Sequence, residues 1–197
     1  MAATEPIGVV LAGGASRRMG RDKATLVVAG ETLAVRALRR LAGAVTTVVL
    51  ADRGRCRMPG VRSVTDAEAE GPAGGLLGAA AMFPGRALLV LACDLPAVPV
   101  ALLEHLADVD PTADGVMPCH GVDGRLEPLC ARWGPAALGC LQAEAASGNP
   151  ALFRIATRPG IWIRRLGEQE LAAFGDPADM FRNLNTPADL RARVPPG

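Results

Sequence analysis

Apolar runs and helical spacings alternate through the first hundred residues. Ile7 to Leu11 is a continuous apolar run followed at once by Ala12, Gly13 and Gly14, which predicts a buried strand ending in a tight loop. From Glu31 to Ala44, Leu33, Ala37, Leu38 and Leu41 recur at helical spacing, with Arg36, Arg39 and Arg40 between them, predicting an amphipathic helix. Val45 to Ala51 and Val61 to Val64 read as strands, Gly74 to Phe83 as a helix rich in Ala and Leu, and Ala87 to Ala92 as a strand ending at Cys93-Asp94. Such alternation predicts a mostly parallel sheet with crossover helices, and loops at the carboxyl ends of its strands are where open α/β sheets bind ligands.

The pattern loosens beyond Pro99. A helix from about Pro99 to Ala107 and a strand at Gly115 to Met117 lead to a Gly121 to Gly124 turn that reads as a hairpin tip. A strand from Leu126 to Trp133, a helix from about Pro135 to Ala146, a strand at Ile161 to Ile163 and a short helix after Thr186-Pro187 complete the expectation. No repeat, linker or low-complexity segment divides the 197 residues, so one domain is expected. A half spanning about 5–100 has the style of a nucleotide site, and about 101–197 form the remainder.

Composition narrows the class. Half of the residues are apolar but only 3% are aromatic and none is Tyr, so small aliphatic side chains must fill the core. Lys and Arg number 21 against 20 Asp and Glu, with no basic block, which argues against a nucleic-acid surface and leaves any anion to a local site. The five cysteines contain no CxxC pair and read as reduced thiols. No signal peptide or membrane span is evident, so a cytoplasmic protein is expected.

That local site is Leu11-Ala-Gly-Gly-Ala-Ser-Arg-Arg-Met-Gly-Arg-Asp-Lys23, which follows the first strand and holds three glycines, Ser16, three arginines and Lys23. Glycines let backbone N–H groups approach phosphate oxygens, and Arg18 and Lys23 can neutralise charge on a triphosphate. The spacing is neither a Walker A loop nor GxGxxG, which disfavours a P-loop kinase or a dinucleotide-binding dehydrogenase.

The segment resembles LAGGxSxRMGxDK, the signature of the molybdenum cofactor nucleotidyltransferases, at Leu11, Ala12, Gly13, Gly14, Ser16, Arg18, Met19, Gly20, Asp22 and Lys23. Further landmarks follow in order: Asp66 before Gly71-Pro72, Cys93-Asp94-Leu-Pro96, Arg125-Leu-Glu127-Pro128-Leu129, and Asn183-Leu-Asn185-Thr186-Pro187. The resemblance implies a single three-layer α/β/α Rossmann-like nucleotidyltransferase domain. It implies transfer of GMP from GTP to the phosphate of molybdopterin, with pyrophosphate released. Gly13 resembles the LAGG of guanylyl members rather than the LAAG of cytidylyl ones. Gly71 to Leu76 is similar to GPLAGL, with Ala73 and Gly74 departing from it.

Under that resemblance Leu11, Ala12, Gly13, Gly14, Ser16, Arg18, Lys23, Asp66, Gly71, Pro72 and Asp94 bind GTP. Asp94 holds Mg²⁺, and Arg18 and Lys23 with Asp94 are catalytic. Arg125, Glu127, Asn183 and Asn185 bind the acceptor. An attacking phosphate is already anionic at neutral pH, so no general base is required. The residues themselves keep plainer readings open: a turn carboxylate at Asp94 and at Asp66, a cross-strand ion pair for Arg125 and Glu127, and a helix cap at Asn185. His105 and His120 are assigned to structure or solvent, and Arg154, Arg158, Arg164 and Arg165 are unranked candidates for the acceptor phosphate. GTP and molybdopterin are the expected partners, with transient contacts to cofactor-insertion and enzyme-maturation proteins. A cytidylyltransferase, a guanylyltransferase for another small phosphorylated acceptor, and a non-catalytic cofactor carrier are the alternatives.

Overall fold

The computed structural model describes residues 4–12, 23–52, 58–65, 67, 69, 71–148 and 150–184, with the backbone alone at Lys23. Strand β1, Ile7–Leu11, is buried at all five positions, as the run predicts. Val10 faces one side of the sheet while Ile7, Val9 and Leu11 face the other, so a single strand feeds two cores. After a 3-10 turn at Lys23–Thr25, β2 (Val27–Val28) and β3 (Glu31–Thr32) form a small hairpin, closed by Ala29 and Gly30 at positive φ. The expected helix from Glu31 therefore begins two residues later. Helix α1 is Leu33–Ala44, with the Thr32 hydroxyl accepting from the Val35 amide at 3.3 Å.

Strands β4 (Val48–Ala51) and β5 (Arg62–Val64), helix α2 (Pro72–Met82) and strand β6 (Leu88–Ala92) follow, each within a few residues of expectation. Helix α3 is Val100–Asp108 and strand β7 is Gly115–His120. The expected single strand Leu126 to Trp133 is two: β8 (Arg125–Leu126) pairs with β7, and β9 (Cys130–Trp133) pairs antiparallel with β6 and with the start of β7. Pro128 lacks the amide a continuous ladder would need, and the Cys130 amide instead closes a turn on the Glu127 carbonyl at 3.0 Å.

Helices α4 (Pro135–Ala146) and α5 (Leu152–Ala156), strand β10 (Ile163–Leu166), and short helices α6 (Glu168–Leu171) and α7 (Pro177–Met180) complete the described chain. Strand β10 lies later than the expected Ile161 to Ile163, because Trp162 stays half-exposed while Leu166 is buried. The helix expected after Thr186-Pro187 falls outside the described residues.

The main sheet runs β10-β7-β9-β6-β1-β4-β5, with β8 attached to β7. Pairings β1–β4, β1–β6, β4–β5 and β10–β7 are parallel, while β9 runs against both of its neighbours. One core gathers α1, α3 and the packed residues of α6 and α7, and the other gathers α2, α4 and α5. The expected three-layer, mostly parallel α/β/α arrangement is the observed one.

Glycines in α2 set how close the loop after β5 can lie. A methyl group at Gly78 would sit 2.2 Å from the Thr65 carbonyl oxygen, and one at Gly74 would sit 2.5 Å from that of Ala69. Replacing Gly78 by Ala should therefore destabilise the protein by about 2 kcal/mol in spite of alanine's better helix propensity. An unchanged or raised denaturant midpoint in Gly78→Ala would contradict that packing.

Candidate functional site at the carboxyl end of the sheet

In-register pairing of β1 with β6 brings Leu11 opposite Ala92. The ladder continues past both strands, with the Cys93 amide donating to the Leu11 carbonyl at 3.1 Å and the Ala12 amide donating to Ala51 at 2.9 Å. Asp94 thus lies in the turn beyond β6, beside the point where the glycine segment leaves β1. The Leu95 amide closes that turn on the Ala92 carbonyl at 3.2 Å. Farther along the same loop the Arg40 guanidinium of α1 donates to the Val98 carbonyl, which ties the loop to the helix layer.

Leu11 and Ala12 are therefore placed where a nucleotide site was expected, and Gly71 and Pro72 open α2. Gly71 has φ of 68° and Pro72 occupies the first helical turn. Gly13, Gly14, Ser16, Arg18, Asp66, Asn185 and the Lys23 side chain lie outside the described residues.

The remaining sequence candidates converge. Asp94, Arg125, Glu127 and Asn183 line one cavity of about 310 Å³, floored by Ala92 and Leu129 and bordered by Phe153. The turn created by Pro128 drops Glu127 below the surface, where its side chain is 6% exposed. His120 Nε2 and Arg125 Nε approach the same oxygen, Glu127 Oε1, at 2.9 and 3.1 Å. Arg125 and Glu127 form an ion pair with each other, within one segment rather than across strands, and both line the cavity.

The chain's last described stretch completes the cavity. Phe181 follows α7 and stacks on His120 with ring centroids 4.8 Å apart. Three residues later the Leu184 amide donates to the Asp94 carbonyl at 3.0 Å, and Leu184 itself is buried. These two contacts hold Asn183 beside Asp94, from a segment ninety positions away in the chain.

Three residues here were not singled out from the sequence. His120 had been assigned to structure or solvent, yet it is a partner of the Glu127 carboxylate. The hairpin at Gly121 to Gly124 carries the signal, because pairing across it sets His120 opposite Arg125. Phe153 is 59% exposed and lines the cavity from a five-residue helix in which Leu152, Ile155 and Ala156 are buried. Asp52, a buried carboxylate, follows β4 on the same sheet edge, and nothing in its local sequence distinguishes it from a turn residue. His105, by contrast, is structural as expected: it meets Glu170 at 3.1 Å and Phe174, away from the cavity. Of the four unranked arginines, Arg154 pairs with Glu144, and Arg164 with Glu170 and Asp110.

A larger cavity of about 730 Å³ lies between α2 and α4 and shares no lining residue with the first. Its walls include Leu77, Ala80, Phe83 and Leu138 and no carboxylate, so it carries none of the candidate chemistry.

Among the described residues no group of three His, Cys, Asp or Glu side chains is arranged to hold a metal. A closed structural site is therefore absent among them, whereas one carboxylate on an open cavity suits an ion that takes most of its ligands from substrate phosphates and water. Asp94 fits that description. Also among the described residues, no helix is long and apolar enough to cross a membrane.

Together, a mostly parallel α/β/α sheet, a carboxylate in the turn past β6 and the glycine-rich sequence that follows β1 in the chain mark an α/β nucleotidyltransferase. The chain belongs to the MobA-like NTP transferase domain family, whose model matches residues 8–159. A relative named probable molybdenum cofactor guanylyltransferase, from Pelotomaculum thermopropionicum, is 34% identical over 95% of this chain and 91% of its own. The crystal structure of molybdopterin-guanine dinucleotide biosynthesis protein A from Archaeoglobus fulgidus superposes with a TM-score of 0.78, at 24% identity, over 94% of this chain and 95% of that one. A manganese complex of Rv0371C from Mycobacterium tuberculosis superposes with a TM-score of 0.65, at 22% identity, over 84% of this chain and 89% of that one.

Cys130, at the start of β9, also tests the site's dryness. Complete burial pushes its thiol pKa far up, and the nearby Glu127 charge pushes it further. Alkylation at pH 8 should leave Cys130 unmodified in the native protein and reach it after unfolding. Rapid native labelling of Cys130, read by peptide mass spectrometry, would contradict this burial.

Proposed function

We propose that this protein acts as a molybdenum cofactor guanylyltransferase, moving GMP from GTP onto the phosphate of molybdopterin. One observation carries the proposal: Asp94, on the nucleotide edge of the sheet, shares a single cavity with Arg125, Glu127 and Asn183. Donor and acceptor then meet at one place, which is what a direct transfer between two bound substrates needs.

In the proposed reaction an oxygen of the acceptor phosphate attacks the α-phosphorus of GTP. A new P–O bond forms as the bond to the β-phosphate bridging oxygen breaks, and its electron pair leaves with pyrophosphate. The nucleophile is already anionic, so the protein's task is alignment and charge compensation rather than deprotonation. Arg18 and Lys23 neutralise charge arriving on pyrophosphate, and the backbone of Gly13 and Gly14 receives phosphate oxygens. Asp66 and the turn at Gly71 and Pro72 border the nucleoside, and the absent side chain at Gly13 leaves room for guanine. Asn183 and Asn185 flank the transfer point from the acceptor side.

Asp94 would hold a divalent cation, Mg²⁺ in this reading, which supplies charge stabilisation for the triphosphate when bound. The manganese complex of a structural neighbour supports a divalent ion at this fold. Four described cysteines are free thiols, which is consistent with work in a reducing cytoplasm.

Pyrophosphate release with GTP and molybdopterin, compared with CTP and molybdopterin, tests the assignment directly. Release should require GTP, and Asp94→Asn should lower it by about a hundredfold or more while the melting temperature stays put. Normal turnover by that variant, or equal use of CTP, would overturn the respective part of the reading.

A further inference from the structure

We infer that Glu127 reads the pterin ring of the acceptor: one oxygen is clamped by His120 and Arg125, and the other accepts an N–H of the ring's 2-amino group. The inference rests on molybdopterin being the acceptor, and it assigns His120 a positioning role.

The Glu127 side chain is 94% buried, and a carboxylate so placed is costly unless its lone pairs are satisfied. Both neighbouring donors use the same atom, with His120 Nε2 at 2.9 Å and Arg125 Nε at 3.1 Å from Oε1. A carboxylate only accepts, so the proton of that His120 contact resides on Nε2. Among the described residues no hydrogen bond engages Oε2, and the side chain lines the cavity shared with Asp94 and Asn183. A second anion would be repelled there, so the natural occupant is a hydrogen-bond donor.

A pterin offers such donors on one edge, the ring N–H and the adjoining 2-amino group. It is also flat, and the 59% exposed ring of Phe153 supplies an apolar wall on the same cavity. His120 is itself backed by stacking on Phe181, which braces the contact on Oε1.

The test uses 6-hydroxymethylpterin, which has the ring without the phosphate, and 6-hydroxymethyllumazine, in which oxygen replaces the 2-amino group. Fluorescence titration of the full chain should show the pterin binding at least tenfold more tightly than the lumazine, a comparison that needs no variant. In Glu127→Gln the amide oxygen must face the two donors, which turns its NH₂ toward the cavity and should weaken the pterin at least tenfold. His120→Ala should weaken it severalfold, and His120→Gln, which can still donate to Oε1, should restore it, a rescue that a purely structural histidine would not show. Equal binding of the two probes, or undiminished pterin binding by Glu127→Gln, would overturn the inference. Pyrophosphate release by the parent protein separates the two claims: release with pterin binding indifferent to Glu127 defeats the ring contact alone, and pterin binding without any release defeats the transfer reaction alone.

Discussion

The site depends on the register between β1 and β6. Five consecutive pairs, from Ile7 with Leu88 to Leu11 with Ala92, end both strands at the same height. The next amide, that of Cys93, still reaches the Leu11 carbonyl. A slip of one residue would turn the side chains of a strand buried on both faces into the opposite cores and would shift Asp94 away from the end of β1. Burial of all ten positions makes that register expensive to change, because every side chain on either strand is matched to helices above or below.

Strand β9 brings a second set of polar side chains to this edge of the sheet. By running antiparallel beside β6, it starts where β6 ends, so the turn before it is delivered to the same edge of the sheet. That turn carries Glu127 and Pro128, and the Trp133 indole donates to the Pro128 carbonyl at 2.9 Å, bracing it from the core. A parallel strand in the place of β9 would have sent its preceding loop to the opposite edge. The reversal is thus the structural reason that Arg125 and Glu127 share a cavity with Asp94.

Charge around the cavity is arranged rather than abundant. The chain as a whole is nearly neutral, so any attraction for an anion must come from local groups. Asp94 and Glu127 are both acidic within one cavity, but Glu127 is buried between His120 and Arg125 while Asp94 stands more open at the strand end. Two carboxylates with such different surroundings suit two different tasks.

Much of this was legible along the chain. Continuous apolar runs mark β1 and β6 because strands covered on both faces have no polar side to show, and the helical spacing of α1 survives in any window. The glycine segment and Asp94 were legible as chemistry because each lies directly after such a run. The break at Pro128, the shift of β10, and the short α5, α6 and α7 were not, since a few residues carry too little periodicity and tertiary packing overrides it. By itself, the sequence determined the layered class, the strands that end at one edge of the sheet and the residue types gathered there. Only the tertiary structure decided that His120 serves Glu127, that Phe153 borders the cavity and that the tail at Asn183 closes on Asp94, because those contacts join segments whose meeting depends on strand order and not on local pattern.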